Sequence, residues 1–375
     1  MTWKIPLFRM YWDEDDVRLV DETIRSGASW AGGPRIAEFE QAIADYSGSR
    51  YCLAFSSGTS ALHAALAAYD IGKDTEVIVP SFTFISTANA PQFVGARPVF
   101  ADIEEKTFGL DPDDVLNKIT KKTRAIIPVH YGGCPCNITA LREIAEDHKL
   151  ILIEDAAEAF GAKIGDQKVG TFGDSGMFSF CQNKIITTGE GGAMVTDSRD
   201  LFEKMKLIRS HGRLETCDYF STSAVMDYVS IGYNLRMSSI TAALGIAQLK
   251  KVEKIIRIRR DDASRYISTF KKKVPEISFP VIPQGYFHVY QLFSAIAKDR
   301  DNLIKHLDSC GIMSKIYFSP VHETDFYKNT QKYKCNLPIT EKIARSIISL
   351  PFYPGISHED IDTVVVSIRD FYGEH

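Results

Sequence analysis

The segment Tyr51-Cys52-Leu53-Ala54-Phe55-Ser56-Ser57-Gly58-Thr59-Ser60-Ala61-Leu62-His63-Ala64-Ala65-Leu66-Ala67-Ala68 changes its hydrophobic period midway. Its first five residues are a short apolar run closed by Ser-Ser-Gly, which reads as a buried strand. From Thr59 onward, Ala and Leu recur at three- and four-residue spacing, which reads as a helix. A strand that runs straight into a helix is half of a βαβ unit. The junction carries a second message. A helix N-terminus presents unpaired N–H groups and the positive end of the macrodipole, so SSGTS is a candidate phosphate cradle. Ser and Thr are also ordinary N-caps, and at this point both readings stand.

The same alternation extends outward to about residue 200. Strands are expected at Tyr51 to Phe55, Glu76 to Val79, Arg97 to Phe100, Ala125 to Val129, Leu150 to Glu154, Met177 to Phe180 and Ala193 to Val195. Helices are expected at Thr59 to Ala68, Ser86 to Val94, Ile138 to His148 and Leu201 to Arg209. This pattern predicts an α/β fold with a mainly parallel central sheet flanked by helices. Beyond residue 238 the texture changes to one long amphipathic helix, Ser239 to roughly Phe270, centred on KKVEKIIRIRRDD. A Pro-punctuated β-like region (Ile277 to Ala297), a helix (Arg300 to Ser309), an extended run (Met313 to Phe318) and a last helix from His358 follow. The expected division is a large domain, 1–245, and a smaller α+β C-terminal domain, 246–375.

Bulk properties narrow the class. At roughly 100–200 residues per domain, 375 residues suggest two or three domains. Hydrophobic residues at 45% and charged residues at 25% are the proportions of a globular protein. Forty-four Lys and Arg against 48 Asp and Glu give a net charge of −4, which offers no basic excess for nucleic acid. No apolar run approaches the roughly 20 residues that span a bilayer, and the opening MTWKIPLFRM lacks a signal-peptide core, so a cytoplasmic protein without membrane contact is expected. Seven scattered cysteines (Cys52, Cys134, Cys136, Cys181, Cys217, Cys310, Cys335) suggest reduced thiols. The close pair Cys134-Pro-Cys136 has no second pair at zinc-site spacing, so no metal is expected.

Two further segments bear chemistry. Ile151-Leu152-Ile153-Glu154-Asp155-Ala156-Ala157-Glu158 is an apolar strand ending in carboxylates, and ligands of open α/β sheets bind beyond the carboxyl ends of strands. Asp155 is placed for a ligand, with a helix cap or solvated turn as the competing role. Gly176-Met177-Phe178-Ser179-Phe180-Cys181-Gln182-Asn183-Lys184 sets a lysine a few residues past another strand, and the chain returns through Gly189-Glu190-Gly191-Gly192. A buried amine there could form a Schiff base. A phosphate cradle, a strand-end carboxylate and a strand-flanked lysine are together what pyridoxal 5'-phosphate requires. The cradle anchors the phosphate, the carboxylate keeps the pyridine nitrogen protonated, and the amine holds the aldehyde.

Eight segments, FEQAIADYSGSRYCLAFSSGTSALHAAL, EVIVPSFTFISTANA, GARPVFADI, TRAIIPVHYGG, LILIEDAAEAFGA, GTFGDSGMFSF, NKIITTGEGGAMVT and GYNLRM, carry a resemblance over nearly the whole chain. The sequence resembles the DegT/DnrJ/StrS family of sugar aminotransferases, of fold type I among pyridoxal-phosphate enzymes. The resemblance implies that Lys184 bonds to the cofactor and later shuttles a proton, and that Asp155 pairs with the ring nitrogen. It further implies that Gly58, Thr59 and Ser179 hold the phosphate and that Phe84 stacks on the pyridine, plain core packing being the competing role. Asn234, in GYNLRM, would reach the phosphate of a neighbouring subunit, implying a homodimer with shared active sites. Glu158 stands where many relatives have Gln or His, beside the ring hydroxyl, where a carboxylate repels unless one partner carries a proton.

EDAAEA with NKIITTGEGG is similar to the branch containing GDP-perosamine synthase. Lys184, where the family's dehydratases have His, implies transamination. The implied reaction moves an amino group from L-glutamate to a nucleotide-linked 4-keto-6-deoxy sugar. GDP-4-keto-6-deoxy-D-mannose, giving GDP-perosamine, comes first, and a UDP- or dTDP-linked 3- or 4-keto sugar is the alternative. His322 (Ser319-Pro320-Val321-His322) is expected to touch substrate and His130 (Pro128-Val129-His130-Tyr131-Gly132) to line the cofactor pocket, each with a structural role as its rival. Arg209, Arg213 and Arg236 could meet a diphosphate, but surface solvation is the commoner role and they stay outside the site set. The alternative from another class is a non-enzymatic regulator that retained the fold, which the intact Lys184, Asp155 and cradle argue against. A nucleotide-binding dehydrogenase would need GxGxxG where this chain reads SSGTS.

Overall fold

The computed structural model describes residues 3–214, 222–223, 225–331, 333 and 335–373. Cys217 lies outside the described residues; the other six cysteines are free thiols. All seven expected strands form. They are β1 (Tyr51–Phe55), β2 (Glu76–Pro80), β3 (Arg97–Ala101), β4 (Thr123–Ile126) and β5 (Ile151–Asp155), followed, after a small hairpin of β6 (Lys163–Ile164) and β7 (Gln167–Lys168), by β8 (Ser175–Ser179) and β9 (Gly192–Thr196). They make one seven-stranded sheet in the order β1-β9-β8-β5-β4-β2-β3. The pairs β2/β3, β2/β4, β4/β5 and β5/β8 are parallel, while β9 runs antiparallel to both β1 and β8. β4 ends at Ile126 rather than Val129, because Pro128 has no N–H for the ladder; Pro128 still accepts from Asp155 N–H at 2.9 Å, and Val129 keeps a lone bridge to Asp155.

Because β1, β2, β5 and β8 point the same way, their carboxyl ends gather along one edge of the sheet. That edge receives Ser57 to Thr59, Thr83 and Phe84, Asp155 to Glu158 and Ser179 to Lys184. Helices Gly58–Ala68, Ile85–Phe93 and Arg199–Arg209 pack on one apolar layer around Leu62, Val79, Ile153 and Met177. Helices Pro34–Ser47 and Ser239–Leu249 cover another, around Phe39, Phe178 and Phe180.

The single helix expected from Ser239 to Phe270 is two, Ser239–Leu249 and Val252–Lys273. The break falls at Lys250 and Lys251, where Lys251 takes φ −113° and ψ 6° and its buried ammonium meets Asp16 at 2.8 Å and also Asp13. Asp16 accepts from Gln248 as well, at 3.0 Å. A buried acid on helix Glu14–Arg25 thus draws in side chains from both sides of the break. The second helix begins in the core of the large sheet with Val252, Ile255 and Ile256, and ends in a separate core with Ala263, Tyr266 and Phe270. That second core also takes in Ile5, Phe293, Leu303, Ile348 and Ile368.

The expected β-like stretch Ile277 to Ala297 is mostly irregular. Only β10 (Tyr286–Phe287), on the β6 edge, and β11 (Ser294–Ile296), paired with β12 (Ile347–Ser349), are regular. Met313 to Phe318 forms no strand; its one tie of this kind is the bridge Lys315 to Ser349. Helices Arg300–Ser309 and His358–Gly373 stand as expected. Among the described residues no helix is long and apolar enough to cross a membrane, and no group of three or more His, Cys, Asp or Glu residues is placed to hold a metal.

Candidate active site

The carboxyl edge of the sheet opens into a cleft of about 400 Å³ lined by the cradle residues Gly58 and Thr59, by Phe84, and by Asp155, Glu158 and Lys184. Ser57 caps helix Gly58–Ala68, its Oγ accepting from Ser60 N–H at 3.1 Å. The N–H groups of Gly58 and Thr59 come earlier in the first turn, where no intrahelical acceptor exists. A Cβ on Gly58 would stand 2.7 Å from Met177 Sδ and 3.3 Å from Ser179 Cβ, so the cradle rests on the end of β8. The fit is tighter still at Gly192 of β9, where a Cβ would collide with the backbone of Ser57 and Gly58. Gly192→Val is expected to push the helix start out of place and weaken phosphate-bearing cofactor at least about tenfold. Titration of the apoprotein checks this, and unchanged affinity would mean the cradle does not hold the phosphate.

Asp155 is buried at the last position of β5. Thr87 O–H donates to its Oδ2 at 2.7 Å and Ala157 N–H to its Oδ1 at 3.1 Å, while Thr83 and Thr87 hydroxyls are 2.9 Å apart. Burial raises the Asp155 pKa, with the Thr87 and Ala157 hydrogen bonds and the Lys184 charge opposing it. A buried carboxylate of this kind calls for a cationic partner from the cleft. Lys184 lies 3.5 Å from Glu158 Oε1, both side chains being largely withdrawn from solvent at 15% and 7%. The other carboxylate oxygen, Oε2, accepts from Gly132 N–H at 2.8 Å. Glu158 is therefore fixed by the backbone and lies beside the lysine.

Phe84 is 59% exposed, which rules out core packing; its ring faces the cleft 6.2 Å from the Phe318 ring. The fit to pyridoxal phosphate rests on these observations together: a helix start packed closely on Met177 and Gly192, a buried acid with no ion pair among the described residues and an exposed aromatic face over the same cleft.

Other expected residues are elsewhere. His130 does not line the cleft. Strand residues alternate between faces, so Glu154 points away from Asp155, and His130 Nε2 lies 2.9 Å from Glu154 Oε2 with both side chains fully buried. Cys136 N–H donates to His130 Nδ1 at 3.1 Å, which leaves the proton on Nε2 for Glu154. Glu154 also accepts from the N–H groups of Gly170, Phe172 and Gly173 at 2.7, 2.6 and 2.8 Å. Glu154→Ala would orphan four donors, and a loss of about 3–5 kcal/mol is expected in denaturant unfolding. A loss below about 1 kcal/mol would count against this knot.

His322 is likewise buried outside the cleft lining. Ser81 Oγ accepts from His322 N–H at 3.0 Å and lies 2.7 Å from its Nδ1, and Nε2 is 3.7 Å from Glu341. It braces the Ser81 to Phe84 loop, and burial lowers its pKa. Arg209 is tied to Glu40 and, at 2.8 Å, to Ala54 O. Arg213 and Arg236 both donate to Ser210 Oγ at 3.1 Å. Asn234 is exposed, bridges to Ser210 and stands outside its own chain's cleft.

Thr83, Thr87, Lys315 and Tyr317 belong to the site but carry no local signal, because folding alone brings them there. Gly192 did have one, the Gly-rich return after Lys184.

A family model for the DegT/DnrJ/EryC1/StrS aminotransferase family matches residues 11–369. The chain is similar to GDP-perosamine synthase of Caulobacter vibrioides, 38% identical over 341 residues, 90% of each protein. Among solved structures it is similar to DesV of S. venezuelae, with a TM-score of 0.90, 31% identity and 99% of each chain covered. It is also similar to the pyridoxal-phosphate form of the putative sugar aminotransferase Spr1654 of Streptococcus pneumoniae, with a TM-score of 0.91, 25% identity and 99% of both chains covered. With a cleft that suits the cofactor and a match from residue 11 to residue 369, the chain belongs to the DegT/DnrJ/EryC1/StrS aminotransferases, enzymes that work with pyridoxal 5'-phosphate.

Proposed function

We propose that this enzyme moves the amino group of L-glutamate to a nucleotide-linked keto sugar, with GDP-4-keto-6-deoxy-D-mannose as the acceptor and GDP-perosamine as the product. The carrying observation is that one cleft is lined by Lys184, held by Glu158, and by the buried Asp155. The choice of sugar is supported by the relative named GDP-perosamine synthase and by EDAAEA with NKIITTGEGG.

The bound cofactor supplies the electron sink for moving an amino group. Lys184 Nζ would anchor the cofactor covalently and would supply the amine that moves a proton during the transfer. Asp155 keeps the ring nitrogen protonated, with Thr87 and Ala157 orienting its carboxylate. Gly58, Thr59 and Ser179 would hold the phosphate, Phe84 would cover the ring and Glu158 would lie on its hydroxyl side. In this reading residues 1–245 bind the cofactor, while the smaller part, from 246, brings Lys315, Tyr317 and Phe318 over the cleft. The working assembly is a homodimer in which Asn234 serves the neighbouring subunit; exposed Val225 (99%) and Ile231 (86%), flanking Tyr228 and Val229, give that segment an apolar face to cover. Free cysteines support a cytoplasmic setting.

An absorbance titration tests the reading. The cofactor band should fall with L-glutamate alone and return with GDP-4-keto-6-deoxy-D-mannose. Return only with a UDP- or dTDP-linked sugar would replace the acceptor, and no change with glutamate would remove the donor.

A further inference from the structure

The cleft has a second cation that the cofactor does not need. Lys315 is exposed on its rim, in the same short run as Tyr317 and Phe318. Its backbone is clamped to β12: Lys315 N–H donates to Ser349 O at 3.1 Å and Ser349 N–H to Lys315 O at 2.8 Å. Its ammonium sits 4.8 Å from the centroid of the Tyr317 ring, a contact that steers the chain without neutralising it. Among the described residues no carboxylate pairs with it. Phe318, three residues on, is the ring 6.2 Å from that of Phe84, so Lys315 belongs to the segment that brings the second ring to the cleft.

The other charges of the lining run the opposite way. Asp155, Glu158 and Glu190 are acidic, and Lys184 is engaged with Glu158. An anionic substrate entering this cleft meets a wall of carboxylates with one accessible cation among the described residues. Both proposed substrates are anions, an amino acid with two carboxylates and a sugar bearing a diphosphate. We propose that Lys315 binds the substrate oxyanion and so selects and orients what reaches Lys184. It is a substrate-binding residue, and the inference rests on the reading of the cleft given under Proposed function.

The test uses the cofactor-loaded enzyme with Lys315→Met, which keeps the apolar stem, and Lys315→Arg, which keeps the charge. Each half-reaction is followed by absorbance, first with L-glutamate and then, on the aminated enzyme, with the keto sugar. In Lys315→Met the concentration needed for half-maximal rate should rise at least about tenfold in one half-reaction. The limiting rate should change little, the defect should shrink in high salt, and Arg should restore most of the loss. A shift with glutamate names the carboxylate as the bound anion; a shift with the sugar names the diphosphate. Unchanged concentration dependence in both, or an equal loss in Lys315→Arg, overturns the proposal. A cofactor titration in the same variants should be unchanged, and a weakened cofactor would also overturn it. If the wild-type enzyme fails to respond to glutamate and to every keto sugar, the reading of the cleft fails first, independently of Lys315.

Discussion

Lys184→Ala should reduce turnover at least about 10³-fold while leaving the protein folded. Both expectations come from where the side chain sits. Lys184 is partly accessible inside the cleft, and its polar partner, Glu158, keeps the Gly132 N–H at 2.8 Å when the amine is gone. No core packing is lost, so the melting temperature of the apoprotein should move little. What disappears, on the proposed reading, is the covalent anchor and the amine that moves the proton. Phosphate and ring contacts remain, so the variant should still take up cofactor, now with the spectrum of the unbonded aldehyde. Lys184→Arg serves as the control: it keeps the charge next to Glu158 and lacks a free amine, and it should be as inactive. Turnover near the wild-type rate in either variant would remove Lys184 from the chemistry.

The parts of this molecule that were legible in its sequence are those governed by short-range periodicity. Short apolar runs closed by turn or charged residues mark the seven strands, and because parallel strands align their carboxyl ends, residues at or just beyond those ends, Gly58, Phe84, Asp155 and Lys184, fall at one edge. Parity explains the failure at His130. Glu154 and Asp155 are adjacent carboxylates, but alternation sends them to opposite faces, and His130 follows Glu154. The break at Lys251 was illegible because its cause, Asp13 and Asp16, lies more than two hundred residues earlier. Thr87 and Lys315 were missed for the same reason: one reaches Asp155 from a helix that starts after β2, the other from the far side of the cleft.

Asp155→Asn should slow turnover by roughly 10²–10⁴-fold and, in the same protein, make the apoprotein more tolerant of neutral pH. The rate effect follows from charge, since an amide is close to the same size as the carboxylate but cannot hold a proton on the ring nitrogen. The stability effect follows from burial. In the apoprotein, Asp155 has its pKa raised, burial outweighing the Thr87 and Ala157 hydrogen bonds. A carboxyl whose folded pKa lies above its unfolded value favours folding in acid and loses that contribution as pH rises through the folded pKa. Asparagine has no such titration. The stability of Asp155→Asn minus that of the wild type, both without cofactor, should therefore grow from acid toward neutral pH. Adding pyridoxal phosphate should reverse the order, because the ring cation then meets the wild-type carboxylate alone. Denaturant unfolding across pH, with and without cofactor, reads both effects. Parallel apoprotein curves would mean that Asp155 is not carrying a costly charge, and full turnover would mean that another carboxylate governs the ring.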